Sequence, residues 1–257
     1  MLKVTDLQFG YDPAEPVLRG ISFDIPSGAL CGLFGPNGCG KTTLFRCCLK
    51  QIRPQKGAVY INGCNVNALS IKEMAKQAAY VPQVQQSLFP YLVKDLVLMG
   101  RNPHTSALYG IRARDRQKAW EALCLMEISE IADRPYNQLS GGQRQLVLIA
   151  RAIAQDARLM FLDEPTTALD FSNQIRLWRL IQRVSRQGIT VLACTHNPNH
   201  VTWFCDQVVV MNHGAVAAQG PPQEVIREPV LDSIYDGICA IRNLGDFSVI
   251  IPRDLCP

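Results

Sequence analysis

Gly35-Pro-Asn-Gly-Cys-Gly-Lys41-Thr42 matches the spacing G-x-x-x-x-G-K-[ST] at every fixed position. The chemistry this pattern supports is the holding of a triphosphate. Gly35, Gly38 and Gly40 let backbone N–H groups turn inward around phosphate oxygens, and a following helix adds the positive end of its dipole. Lys41 can reach the terminal phosphates, and the Thr42 hydroxyl can ligate Mg²⁺. Such a loop needs a strand before it and a helix after it. Ala29 to Phe34 is a short apolar run, and Leu44, Phe45, Cys47, Cys48 and Leu49 continue as a helix. A Gly-rich turn matching by chance would lack that frame. The stretch implies a bound nucleoside triphosphate, with Pro36, Asn37, Cys39 and Thr43 completing its loop.

Other reactive side chains sit at strand ends and at one helix start. Arg158 to Leu162 reads as a strand buried in a parallel sheet and delivers Asp163-Glu164-Pro165. Ile189 to Cys194 is a second such strand and delivers Thr195-His196. Charged residues following apolar strands mark where α/β proteins place their chemistry. Ser140-Gly141-Gly142-Gln143 begins a helix, with Ser140 as cap and Gln143 closing a capping box. Its N-terminus is a second phosphate-binding device, although one chain offers it no obvious phosphate. Taken singly, each group has a plainer reading: a lone histidine after a strand is structural, and an Asp-Glu pair is solvated. Tyr11, in Phe9-Gly-Tyr11-Asp-Pro-Ala, is either a turn residue or a flat surface on which a base stacks.

The elements that must position these groups follow from periodicity. Val4–Phe9 and Val17–Ile25 read as strands; in the second, Ile21, Phe23 and Ile25 alternate with Ser22 and Asp24. Ala58–Ile61 is a short strand ending at the turn Asn62-Gly63. Ser70-Ile-Lys-Glu73 is a capping box that predicts a helix to about Ala79, and Tyr80-Val-Pro-Gln83 follows as a strand end and loop. From there to about Ala154 strand patterns vanish. Helices are predicted near Val93–Met99 and Arg114–Glu127, separated by Asn102-Pro-His and by Tyr109-Gly, as in a helical lobe inserted between core strands. The helix opened by Ser140 shows an apolar face of Leu146, Ile149, Ala150 and Ile153. A helix over 172–186 packs Leu177, Leu180, Ile181 and Val184. Strands at Gln207–Met211, Ala215–Ala218 and Phe247–Ile251, with helices near Pro222–Arg227 and Leu231–Tyr235, complete the chain.

Composition bounds the classes that remain. Of 257 residues, 47% are hydrophobic and 19% charged, enough apolar surface for a globular core. A net charge of +4 is too small to argue for nucleic acid. Arg112, Arg114, Arg116 and Lys118 form the nearest thing to a basic cluster, either a solvated helix face or a surface turned to a membrane or partner. The ten cysteines show no C-x-x-C spacing and sit mostly in apolar runs, which predicts reduced, cytosolic thiols. The start of the chain has no signal-peptide character, and no apolar run approaches the ~18–20 residues of a membrane span. Any membrane role therefore requires another anchor.

Leu139-Ser-Gly-Gly-Gln143, then Leu159-Met-Phe-Leu-Asp163-Glu164, then His196, all downstream of the phosphate loop, resemble in this order the ATP-binding subunits of ABC transporters. The resemblance spans essentially the whole chain. It implies an α/β P-loop ATPase with a mixed core sheet, an antiparallel β subdomain and an inserted helical subdomain. As one domain over 1–257, its core would be 1–83 and 155–257, with the helical part at about 84–154. It further implies that Tyr11 stacks on adenine, that Gly35 to Thr43 cradle the phosphates, and that Thr42 and Gln83 contact Mg²⁺ while Asp163 holds it through water. Glu164 would polarise the attacking water, His196 would bind the γ-phosphate and orient that water, and Asp170 would contact the other subunit. Ser140 to Gln143 would close over ATP held by a second copy in a head-to-tail dimer. Two departures stand out: Cys39 where relatives carry Ser, expected to be harmless because only its backbone N–H is needed, and Asn197 where Asp is common.

The stretch Val81-Pro-Gln83, Phe89-Pro-Tyr91 and Val93 to His104 is similar to importers of iron–siderophore, haem, cobalamin and related metal chelates, with some relatives importing molybdate-type oxyanions. Partners implied are two transmembrane permease subunits and, indirectly, a substrate-binding protein, at the cytoplasmic face of the inner membrane. A soluble non-transport ABC ATPase is an alternative, but such proteins carry two cassettes or long arms. A small-molecule kinase would not need Leu139 to Gln143.

Overall fold

The computed structural model describes residues 1–12, 14–83, 89–105, 110–167, 169–245 and 247–255. They fall into two compact units, Met1–Ala68 with Thr190–Pro257, and Leu69–Ile189. The stretch 84–88, Tyr109 of the expected lobe separator, and Ala168 lie outside the described residues.

The first unit opens with β1 (Leu2–Phe9), β2 (Leu18–Ile25), β3 (Leu30–Phe34), α1 (Lys41–Cys48), β4 (Lys56–Ile61) and β5 (Cys64–Asn65). β1 pairs antiparallel with β2 and with β4, bringing Val4 level with Phe23 and Val59. The alternation in β2 does what its pattern predicts: Ile21, Phe23 and Ile25 are buried, while Ser22 and Asp24 face solvent. β3 is buried at every position, as a strand covered on both faces must be.

The second unit holds α2 (Ile71–Gln77), β6 (Ala78–Val81), α3 (Val93–Leu98), α4 (Ala113–Leu125), α5 (Gly141–Ala154), β7 (Leu159–Leu162) and α6 (Phe171–Arg186). β6 and β7 run parallel, with Val81 level with Leu162. That pairing ends α2 two residues before the expected Ala79, because Ala78 and Ala79 are taken into the strand. After α3 the chain continues as a 3₁₀ turn, Met99–His104, straight through Asn102-Pro103, where a break was expected. A short i→i+3 turn uses few N–H donors, so proline's missing one costs little there. Gly100 explains how closely this turn can lie on α5: a Cβ at that position would meet Arg151 O at 2.2 Å. Next to it the buried Arg101 donates from Nε to Asp115 Oδ1 at 3.0 Å and from Nη1 to Ala154 O at 2.8 Å, tying the turn to α4 and α5.

α5 departs from its expected single face. Ile149 and Ala150 are buried as predicted, but Leu146 and Ile153 are only half-buried, and Gln145, Val147, Ala152 and Ala154 are buried as well. The helix is covered on more than one side, so periodicity alone undercounts its contacts. α6 buries Leu177, Leu180, Ile181 and Val184 as read, together with Trp178.

Returning to the first unit, the chain forms β8 (Thr190–Thr195), α7 (Pro198–Phe204), β9 (Gln207–Asn212), β10 (Ala215–Gly220), α8 (Pro222–Val225), α9 (Glu228–Tyr235), β11 (Cys239–Leu244) and β12 (Phe247–Pro252). β3 lies parallel between β8 and β9, and β10 adds antiparallel to β9, so the sheet is mixed. α7 and β11 were not foreseen. α7 is short, yet it carries a start signal in its Asn197 cap and Pro198; β11 forms a hairpin with β12, its alternation blurred by Arg242 and Asn243.

The nine cysteines among the described residues are free thiols: Cys64 and Cys124 are exposed, Cys239 is half-buried, and the rest are buried. Among the described residues, no helix is long and apolar enough to cross a membrane.

Candidate functional site

In the first unit, β3 feeds the phosphate loop directly into α1. Gly40 occupies the N-cap with φ +104°, a left-handed conformation open to glycine, and no side chain caps the helix. The first N–H groups of α1 are thereby left to an anion. Asn37 and Gly38 form the exposed tip, and a Cβ at Gly38 would meet nothing within 4 Å. Lys41 is buried and bends over its own loop, with Nζ donating to Gly35 O at 2.8 Å and Pro36 O at 2.9 Å. An ammonium held inside a ring of backbone, beside an uncapped helix start, fits a polyphosphate. Thr42 is exposed at the start of α1, and Thr43 is buried. Cys39 lies under the loop; burial raises its thiol pKa, against the lowering effect of Lys41. The thiol is therefore held in its protonated form.

Tyr11 is 61% exposed. Its ring meets Phe9 edge-on at 5.0 Å, and its hydroxyl accepts from Arg46 Nη1 at 3.0 Å. Because Arg46 belongs to α1, an exposed aromatic face is held beside the helix that begins at the phosphate loop.

His196 comes to the same end of the sheet. Phe34 pairs with Thr195, so Gly35 and His196 each follow directly on paired residues. His196 is exposed. Asn197 N donates to Thr195 Oγ1 at 3.1 Å, and Asn197 Oδ1 caps α7 by accepting from Asn199 N at 3.0 Å. Asparagine caps about as well as aspartate, so this departure from the family pattern is accommodated. His200, one turn on, is buried; desolvation, with His196 nearby, lowers its pKa to about 4.

In the second unit, β7 delivers Asp163 and Glu164. Asp163 is buried; its N–H donates to Val81 O at 2.9 Å, and its Oδ2 accepts from the Tyr80 hydroxyl at 3.2 Å. Gln83, exposed, lies two residues beyond Val81, so the parallel strand ends gather Gln83, Asp163 and Glu164. Glu164 adopts φ +45°, unusual for a residue with a side chain, and Thr167 Oγ1 donates to its Oε2 at 2.9 Å. Tyr80 and Thr167 were missed from sequence. Thr167 had a weak signal in its place three residues after Glu164; Tyr80 had none.

Also in this unit, Ser140 Oγ accepts from Gln143 N at 3.3 Å while Gln143 Oε1 accepts from Ser140 N at 3.2 Å, the full capping box at the start of α5. Ser140, Gly141, Gly142 and Gln143 line a cavity of ≈ 400 Å³ shared with Leu169 and Asp170. Asp170 caps α6, accepting from Asn173 N at 2.9 Å, and this bond leads the causes that lower its pKa.

A model of the ABC transporter family matches residues 18–167. The chain belongs to the ABC transporter family. As a cassette of that family it is an ATP-hydrolysing protein with the P-loop α/β fold. The Bacillus subtilis iron(3+)-hydroxamate import ATP-binding protein FhuC is 36% identical over 235 residues, covering 91% of this cassette and 87% of its own length. Among solved structures, a metal-chelate type ABC transporter in an inward-facing conformation superposes with a TM-score of 0.85 at 32% identity, over 98% of this cassette and 96% of that chain. The ATP-binding cassette MJ0796, a dimer in a post-hydrolysis state with ADP and Pi, gives a TM-score of 0.73 at 28% identity, over 86% and 99%.

Proposed function

We propose that this cassette energises import of a metal chelate, with iron–siderophore complexes as the cargo. The observation that carries the reading is the similarity to a metal-chelate type transporter over 98% of the chain. It would act as a head-to-tail pair of copies beneath two transmembrane permease subunits, at the cytoplasmic face of the inner membrane, fed indirectly by a substrate-binding protein. The division into a core of 1–83 and 155–257 with a helical lobe at about 84–154 belongs to the same proposal.

Each side chain has a task in that reading. Tyr11 stacks on adenine, and the loop from Gly35 to Thr43 holds the phosphates, with Lys41 neutralising the terminal ones. Thr42 and Gln83 would hold Mg²⁺ directly and Asp163 through water. The Thr42 hydroxyl, the Gln83 amide oxygen and the Asp163 carboxylate are hard oxygen donors, the kind that suits an ion taking its remaining ligands from phosphates and water. Bound Mg²⁺ supplies charge neutralisation on the phosphates. Glu164 accepts the proton of the attacking water, and His196 orients that water against the γ-phosphate. Phosphoryl transfer asks mainly for positioning and charge neutralisation. Ser140 to Gln143 close over the nucleotide of the second copy.

The test is purification of tagged cassette from its native membranes in mild detergent, with bound proteins identified by mass spectrometry. A polytopic membrane protein at equal stoichiometry is expected, and its binding-protein partner should then take an iron chelate in preference to haem, cobalamin or molybdate. Recovery with ribosomes, or with no membrane protein, would overturn the transport reading; preference for another ligand would overturn the cargo.

A further inference from the structure

The last residue of α9 joins two parts of the first unit that the mechanism above uses separately. Tyr235 Oη donates to the backbone carbonyl of His196 at 2.8 Å. Its ring lies 6.1 Å from that of Phe34, inclined by 55°. Phe34 immediately precedes the phosphate loop, and the strand register sets it level with Thr195 on one side and Val210 on the other. Tyr235 therefore reaches the ends of neighbouring strands: its ring lies by the strand leading to the phosphate loop, and its hydroxyl bonds the residue leading out of β8.

The tyrosine is itself held in place. Leu231 anchors α9 in the core. Asn212 Nδ2 donates to Ser233 O at 2.7 Å, fastening the helix to the end of β9. Arg253 Nη2 pairs with Asp232 Oδ1 at 2.9 Å, fastening it to the end of the chain. Burial raises the phenol to about 12, so the hydroxyl remains a donor throughout the working pH range.

We propose that Tyr235 is a positioning residue for ATP hydrolysis. Its hydroxyl fixes the backbone of His196, so that the imidazole stands at a constant height beside the phosphate loop, and its ring braces Phe34 beneath that loop. The proposal rests on the reading of His196 as the group that orients the attacking water. The segment has a second tie, Asn197 N to Thr195 Oγ1, so losing the hydroxyl loosens it without unfolding it. A looser His196 spends less time in the productive position, which lowers turnover. ATP affinity, set by the loop amides and Lys41, is left alone.

Two substitutions separate the hydroxyl from the ring, with His196→Ala measured alongside. In Tyr235→Phe the kcat for ATP should fall roughly three- to tenfold, the worth of one neutral hydrogen bond, with KM and nucleotide Kd unchanged within about twofold and the same Tm. Tyr235→Leu should show at least that loss of kcat and, having lost the ring, also weaker nucleotide binding. Wild-type kcat in Tyr235→Phe, with His196→Ala inactive, would overturn the positioning role alone. In Tyr235→Phe, a fall in kcat accompanied by an equal loss of nucleotide affinity and a lower Tm would make the hydroxyl merely structural and overturn the proposal too. Wild-type turnover in His196→Ala would remove the reading of His196 and the proposal with it.

Discussion

Glu164 carries its carboxylate on a backbone of positive φ and has it steadied by Thr167. A non-glycine residue held this way costs on the order of 1–3 kcal/mol and survives only where its surroundings over-determine it. The strain fits a residue kept for its chemistry. Glu164→Gln should leave ATP binding intact and lower kcat by a factor on the order of 10²–10⁴, the usual worth of a general base; unchanged steady-state ATPase activity would refute the role. Lys41, Glu164 and His196 could be proposed from the sequence because each stands in a motif whose members lie within a few positions. Tyr80 and Tyr235 had no such signal: the hydroxyl of each bonds a partner far along the chain, 83 and 39 residues away. No local pattern encodes a contact of that span.

Elements were legible where a local signal and the hydrophobic period agreed. The capping boxes at Ser70 and Ser140 start α2 and α5 where their spacing predicts. Ends were less legible, because sheet pairing rather than propensity decides them, as the early stop of α2 at Gln77 illustrates. The 3₁₀ continuation after α3 was hidden for a related reason: it depends on how near α5 can come, and that depends on Gly100. Gly100→Ala would set a Cβ against the Arg151 carbonyl, a backbone atom that cannot swing aside. Such overpacking is expected to lower stability by about 1–3 kcal/mol, read as a drop in Tm and denaturation midpoint. Unaltered stability would mean that turn and helix can separate at no cost.

At the scale of the whole chain, composition and motif order carried the fold class, while the boundaries of the two compact units had no composition shift or linker to mark them. Global stability should respond to acid through His200. Its pKa lies near 4 folded against an ordinary value of 6.5, so between those values the unfolded chain binds a proton that the folded chain refuses. The contribution is fully present above about pH 6.5 and is lost as pH falls toward 4. His200→Leu should flatten that part of a Tm-against-pH curve; an identical acid slope in the variant would exclude the histidine as its source. The distribution of thiols offers a different use. Among the described residues the two exposed cysteines fall one in each unit, Cys64 in the first and Cys124 in the second. With Cys239 and Cys256 changed to serine, the native chain already holds attachment points for a donor–acceptor dye pair or two spin labels. Such a chain would be its own ruler, reporting the separation between its units through each round of nucleotide turnover.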